Sequence, residues 1–318
     1  MLSHTPNYPK LKGFRIGHLN ITSLIKYIEE LKTYLADNQF EILSINETRL
    51  DTEIEDGAVE IPGYDIIRQD RNRSGGGVAI YVRDNIPYIK RDDLLVQGLE
   101  AICLEIKKAK CKPFLVTTWY RPPNSPVEIF DKFENFLHLA ENENIDLIIT
   151  GDLNCNLLAT KSNSHTKKLT DLLDIYQLQQ HIKTPTRTTP DTKTLIDLII
   201  TKIEDTKVID SGVIELGISD HDLVYICRKI SLPKQRPKTV ETRQFKHFNT
   251  SAFQHDLCEV FKTRAFHSDP NIAWEEWREA FLNVANFHAP IRTRRVKSAY
   301  TPWLTDDIKK LSYHRDYT

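Results

Sequence analysis

Five apolar runs in this chain meet polar residues at one end, and that repeated boundary constrains the fold more than any other feature. "FRIGHLN" (14–20) closes on His18-Leu19-Asn20, and "FEILSINET" (40–48) closes on Asn46-Glu47-Thr48. "PFLVTTWYRPP" (113–123) reaches Trp119-Tyr120-Arg121, and "IDLIITGDLN" (145–154) reaches Gly151-Asp152-Leu153-Asn154. In "LGISDHDLVYI" (216–226), Ser219-Asp220-His221 stand between a turn glycine and a β-branched run. Short apolar runs of this length read as buried strands. Helical periodicity appears between them at 23–38, 128–142 and 164–178, which gives a layered α/β domain. Strand ends of such a domain converge on one rim, where binding sites collect. One polar strand end is a loop start. Five, carrying Asn, Glu, Tyr, Asp and His, predict a shared site.

The remaining segments fill in the domain and suggest an appendage after it. Residues 75–84, 99–108 and 113–123 are three strands in near succession, the pattern of an antiparallel or mixed sheet. The glycine run 75–77 is not followed by a helix, so it reads as the opening of a strand rather than a phosphate cradle. A Thr/Pro loop, "KTPTRTTPDTK", precedes the strand "TLIDLIIT" (194–201). After Ile230 the composition turns Pro-, Lys- and Arg-rich. The expected organisation is a flexible N-terminus (1–11), a main domain (12–231), a basic linker (232–248) and a helical segment (249–318). In that segment Trp274 and Trp277 read as helix-packing residues, and a final helix capped by Thr305 runs to the end of the sequence. A chain that stops inside a helical pattern reads as part of something longer.

Composition excludes several classes. With 40% hydrophobic and 27% charged residues in 318, the chain reads as globular with a sizeable core. No apolar run approaches the roughly 18 to 20 residues that span a bilayer, and the N-terminus lacks a signal peptide's apolar stretch. Five scattered cysteines (103, 111, 155, 227, 258) argue against a disulfide framework or a zinc site and for an intracellular setting. From Pro233 onward there are 15 Lys/Arg against 10 Asp/Glu, a net +5 that leaves about −6 on residues 1–232. An acidic body suggests carboxylates gathered for a cation, and a basic tail suggests a place near phosphate.

Those residue types suit phosphodiester hydrolysis. The reaction needs a cation to neutralise phosphate, a base to activate water, and groups that hold the oxygens in line. Glu47 and Asn20, at two strand ends, are suitable ligands for Mg²⁺, which prefers hard oxygen donors. Asp152 and Asn154, two apart on an extended stretch, can activate and orient one water. His221 needs an acidic partner to fix its tautomer. Asp197, alone inside "TLIDLIIT", is the natural candidate, since a buried carboxylate needs a partner. His18 reads as a structural neighbour of Asn20 rather than a ligand.

Taken in order, "INET", "GDLN" and "SDH" resemble the endonuclease/exonuclease/phosphatase superfamily, the fold of pancreatic DNase and exonuclease-III-type apurinic endonucleases, over residues 12 to 230. The resemblance implies a four-layer sandwich, two mixed sheets face to face with helices outside and a small helical appendage. It places Asn20 and Glu47 on the metal with Asp220 as a further or alternative ligand, and Tyr120 on the scissile phosphate. Asp152 and Asn154 would handle the water, and Asp197 would support His221 on the phosphate. "SINETRLD", "WYRPPNS" and "TPTRTTPDTKTLIDLIIT" look like endonuclease domains of non-LTR retrotransposons of the chicken-repeat-1 and Jockey-like groups.

That likeness implies an enzyme acting in the nucleus, using Mg²⁺ or Mn²⁺ to nick target DNA and leave a 3′ hydroxyl that primes reverse transcription. Its partners would be DNA and, in the full-length protein, a C-terminal reverse transcriptase and the element RNA. Arg121, Arg187 and Lys193 are candidates for tracking DNA phosphates, and the loop 186–193 for influencing target choice. Apurinic endonucleases often carry Asn three residues after the phosphate-contacting Tyr; here Pro123 stands there and Asn124 follows. Two further readings stay open: abasic-site DNA or phosphoinositides as substrate, and a decayed element kept as a binding module.

Overall fold

The computed structural model describes residues 13–107, 111–230, 238–262 and 264–296. The expectations for residues 1–11, for the start of the basic linker and for the helix capped by Thr305 lie outside these residues. The chain forms two compact units, Met1–Pro233 and Lys234–Thr318.

The first unit begins with β1 (Phe14–Asn20), α1 (Leu24–Asp37), β2 (Ile42–Asn46), β3 (Tyr64–Gln69), β4 (Val78–Arg83) and β5 (Tyr88–Lys90). It continues with β6 (Glu100–Ile106), β7 (Phe114–Tyr120), α2 (Ile129–Asn142), β8 (Asp146–Asp152), α3 (Ser164–Ile175) and β9 (Leu178–Gln180). A short hairpin of β10 (Arg187–Thr188) and β11 (Lys193–Thr194) precedes β12 (Asp197–Lys202), β13 (Val208–Ile214) and β14 (Leu223–Arg228). Two six-stranded sheets result, ordered β13-β14-β1-β2-β4-β3 and β5-β6-β7-β8-β12-β9. Each is mixed, with one parallel pair among antiparallel ones: β1 with β2, and β7 with β8.

Alternation along the strands builds four layers. In β1, Phe14 and Ile16 join Ile148 of β8 and Ile199 of β12 in a core between the sheets. Leu19 and Leu43 of the first sheet pack instead against Leu24, Ile28 and Leu31 of α1. Leu147, Ile149 and Leu198 of the second sheet pack against Phe133 and Leu137 of α2 and Leu169 and Leu172 of α3. The architecture is the expected two-sheet sandwich with helices outside. Because side chains repeat every two residues along a strand, the same parity carries His18 and Asn20 to the inner face. It does the same for Asn46, Thr118, Tyr120, Asp152 and Asp197.

Two places needed glycine. Thr48 and Arg49 donate backbone N–H bonds to the carbonyls of Gly77 (3.2 Å) and Gly76 (2.9 Å), so the glycine run does open β4. Gly77 has φ +85°, and a Cβ there would lie 2.3 Å from Thr48 Oγ1. Gly151 of β8 lies against β7 so closely that a Cβ would stand 1.9 Å from the Trp119 carbonyl oxygen.

The structure corrects the sequence reading in three respects. The successive strands 75–84, 99–108 and 113–123 do not all share one sheet: β6 and β7 pair antiparallel in the second, but β4 belongs to the first. Strands buried on both faces carry no mark of which sheet they join. β3 and β13 went unread because charged residues interrupt "YDIIRQ" and "VIDSGVI". In the second unit, part of the expected linker and part of the expected helical segment 249–318 are strand. β15 (Lys238–Arg243) pairs antiparallel with β16 (Ile291–Val296), bracketing α4 (Thr250–Lys262) and α5 (Pro270–His288). Between those helices Trp277 stacks on Phe261, Phe281 and Trp274. No helix among the described residues is long and apolar enough to cross a membrane.

Candidate active site

One end of the sandwich gathers the polar inner-face residues into a bonded net. Asn20 Nδ2 donates to Glu47 Oε1 at 3.2 Å and to Asp152 Oδ2 at 2.9 Å. Tyr120 donates its hydroxyl to the same Glu47 Oε1 at 3.0 Å. Arg49 Nη2 lies 3.0 Å from Glu47 Oε2. Burial alone would raise the Glu47 pKa, but the bonds from Arg49, Asn20 and Tyr120 hold it below its ordinary value. Glu47 and Arg49 both take left-handed backbone, each with φ +52°, which turns the chain off β2 toward the rim. Such conformations are costly for side chains with a Cβ and concentrate at functional sites.

Asp197 is the hub of a second, deeper group. Fully buried, it accepts from His221 Nδ1 at 2.8 Å and Thr186 Oγ1 at 2.8 Å through Oδ2. Its Oδ1 lies 3.3 Å from His18 Nε2. Burial would raise Asp197, but the charge of His221 and the bonds from both histidines hold it low. Burial would likewise lower His221; the Asp197 carboxylate instead raises it to about 9. That leaves the imidazole protonated at neutral pH with Nε2 free. Asp152 is also buried, and desolvation followed by the negative charge of Asp197 pushes it up to about 7. Tyr120 stays protonated, raised by burial and by Glu47.

Several expected residues sit differently from the sequence reading. Arg121 is no surface cation. It is 2% exposed and caps the carbonyls of Leu153 at 2.5 Å and Asn154 at 3.0 Å, holding the "GDLN" turn. Asn154, at φ +49°, gives its N–H to Asp152 Oδ1 (2.9 Å) and its Nδ2 to the Arg121 carbonyl (2.9 Å). Its side chain therefore braces the turn and keeps only Oδ1 for a ligand. Asp220 is paired with Arg187 at 2.7 Å rather than joined to Glu47. Lys193 is exposed on β11.

Four residues complete the site beyond those assigned a chemical role from the sequence. Thr186 is buried and, besides donating to Asp197, accepts from the backbone N–H of Ile196 and Asp197. Asn46 ties the two sheets, accepting from Asp152 N (2.8 Å) and donating to Thr118 Oγ1 (3.1 Å). Ser219 Oγ donates to the Asn20 carbonyl at 2.7 Å. His18, read from the sequence as a structural neighbour of Asn20, shares the β1 parity of Asn20 and reaches Asp197 Oδ1.

The donor chemistry admits a hard divalent cation. Asp152, Asp197 and His221 bring ligand atoms within 4.8 Å of one another. Both Asp197 oxygens and His221 Nδ1 already have partners, however, so this trio suits Mg²⁺ poorly. The Glu47 side suits it better, with two carboxylates, Glu47 and Asp152, joined through the Asn20 amide. As placed, Asn20 clamps these carboxylates with Nδ2, and its oxygen accepts from Thr22 N at 3.2 Å.

Comparison with known proteins agrees with this architecture. A family model described as endonuclease-reverse transcriptase matches residues 114–225, from β7 into β14, which takes in Tyr120, Asp152, Asp197 and His221. Several solved nuclease structures share the fold. One similar structure is the endonuclease domain of TRAS1, a telomere-specific non-LTR retrotransposon. It matches at TM-score 0.56 and 16% identity over 69% of this chain and 100% of that one. A 3′-5′ exonuclease from Neisseria meningitidis matches at 0.55 and 18%, over 68% and 100% of the two chains. An AP endonuclease from Archaeoglobus fulgidus matches at 0.53 and 14%, over 68% and 100%. No curated protein matches the sequence.

Proposed function

We propose that this chain is the divalent-metal-dependent endonuclease domain of a non-LTR retrotransposon polyprotein. It nicks target DNA in the nucleus to leave a 3′ hydroxyl for reverse transcription. The observation that carries the reading is the buried Asp197–His221 pair at 2.8 Å beside a proton-hungry Asp152, with Glu47, Asn20 and Tyr120 bonded across the same rim. The resemblance of the motifs to such endonucleases, and the matched family description, favour DNA over other phosphoesters.

Each residue then has a task. Asp197 fixes the His221 tautomer, so that protonated Nε2 faces a phosphate oxygen and offsets charge as it develops. Asp152, poised near neutrality, takes the proton from the attacking water. As the new phosphorus–oxygen bond forms, the bond to the 3′ oxygen breaks, and that oxygen leaves as a hydroxyl. Tyr120 donates to a phosphate oxygen, and the Asn154 oxygen orients the water. Glu47, with Asn20, would hold Mg²⁺ or Mn²⁺, which would supply positive charge to neutralise the phosphate. In the full-length protein the partners are DNA, a reverse transcriptase domain and the element RNA.

The test is supercoiled plasmid with and without Mg²⁺, using wild type and Glu47→Gln. Nicking that needs the metal and is lost in the variant is the expected result, with 3′ hydroxyl ends at the nick. Metal-independent nicking, or hydrolysis of a soluble inositol phosphate at a rate matching DNA cleavage, would overturn the reading.

A further inference from the structure

The arginines of this protein are as a rule answered by carboxylates. Nine of those with described side chains, from Arg15 in β1 to Arg278 in α5, form ion pairs with Asp or Glu. A cleft of about 620 Å³ within the second unit departs from that pattern. Arg243, Lys246 and Arg292 line it together with Phe245, Gln244 and two threonines, and no Asp or Glu among the described residues does. Among the described residues, Arg243 donates to neutral oxygens, Asn286 Oδ1 at 2.8 Å and the Ala289 carbonyl at 3.0 Å. Arg292 Nε donates to Gln244 Oε1 at 3.0 Å. These bonds orient both guanidinium groups, and no ion pair among the described residues neutralises either charge. Lys246 and Arg292 are exposed. Phe245 is 61% exposed, its ring held edge-on by Phe248 with centroids 5.5 Å apart.

We propose that this cleft binds the sugar-phosphate backbone of a single-stranded nucleic acid, with Phe245 stacking on a base. Oriented guanidinium groups are suited to phosphate oxygens. Cations beside an exposed aromatic ring are the pairing that holds unpaired strands, since every base offers a π-face. A duplex keeps its bases stacked inside and offers Phe245 nothing to cover. An acidic peptide would answer the charges without needing the ring. The volume falls in the roughly 300 to 1,000 Å³ range of ligand sites. The cleft lies wholly among residues 242–293 and includes none of the proposed nuclease groups, so it stands or falls separately from the cleavage reaction.

The experiment is fluorescence anisotropy of the full chain with short oligo-dT and oligo-U strands, in EDTA so that nothing is cut. Lys246→Glu with Arg292→Gln should weaken binding by about tenfold or more. It should also lower the slope of log K against log salt by up to about 1.4, or about 0.7 for each phosphate no longer neutralised. Phe245→Ala should weaken binding at least about fivefold and leave the slope unchanged. Because Phe245 is exposed, this variant carries the test if the charge variant fails to fold. Equal losses on the two strands assign the site to shared backbone and base stacking, and a larger loss on oligo-U assigns it to RNA. Wild-type affinity and slope in all variants would overturn the proposal. So would a polyglutamate peptide that competes as well as unlabelled oligo-dT.

Discussion

β8 carries a carboxylate at each end, Asp146 and Asp152, and the two ends of the sandwich treat charge in opposite ways. At the end away from the candidate site, Arg228 is fully buried. Its Nη2 lies 2.7 Å from Asp146 Oδ2 and 2.6 Å from Asp205 Oδ2, and Lys207 also pairs with Asp146. The guanidinium stands 5.0 Å from the centre of the Phe114 ring. Two cations meet two carboxylates, and although burial would raise Asp146, Lys207 and Arg228 hold it below its ordinary value. At the other end, His221 offsets Asp197 and Arg49 offsets Glu47. Among the described residues, Asp152 has no cation of its own. The first arrangement neutralises itself. The second keeps one negative charge in excess, as a site that receives a cation and a proton should.

The comparison predicts its sharpest break at Asp152. Asp152→Asn should lower nicking by on the order of 10³-fold or more through loss of the base. It should also raise the melting temperature of the metal-free protein, because it removes an uncompensated buried charge. A loss of both activity and stability would place Asp152 with the structural ion pairs instead. Next in size is Arg228→Met, which leaves Asp146 and buried Asp205 without their main cation. It should cost about 3–5 kcal/mol in urea unfolding, with nicking per folded molecule little changed. A specific loss of nicking at full stability would erase the distinction between the two ends.

The pH dependence follows from the same contrast. Asp152 and His221 both bind protons more tightly when folded, so each lowers stability as pH rises. The windows run from about 4 to 7 for Asp152 and from about 6.5 to 9 for His221. Between pH 4 and 7, metal-free Asp152→Asn should gain on wild type by roughly 1–3 kcal/mol. His221→Gln should lose part of its deficit between pH 6.5 and 9. Melting curves across the range check both, and parallel curves would contradict the assigned shifts. The smallest effect belongs to Thr186→Val, which removes one donor to Asp197 and strands two backbone N–H groups. A cost of about 1–3 kcal/mol is expected, read by urea unfolding, and a neutral substitution would detach this loop from the site.

Much of this was legible because polar residues at the ends of apolar runs have few explanations. Asp197 stood out as a carboxylate inside "TLIDLIIT", and its partners are now visible. Thr186 could not be read, since in a Thr/Pro-rich loop its hydroxyl looks like any turn hydroxyl. Arg121 misled for a related reason. An arginine after a strand resembles a surface cation until the carbonyls of Leu153 and Asn154 are seen around it. The strand at 238–243 was hidden because its basic, proline-flanked composition is also that of a linker. Pairing with 291–296 is a long-range choice that neither segment announces alone.

Gly151 carries a consequence for lineages. A Cβ at this position would stand 1.9 Å from the Trp119 carbonyl oxygen, and every missense change of a glycine codon adds one. Drift at this codon is therefore all or none: a copy either retains glycine or forces β8 away from β7 and displaces Asp152 with it. On the proposed retrotransposon reading, the residue here should separate related copies still under selection from those already released, before any change reaches the proposed catalytic residues.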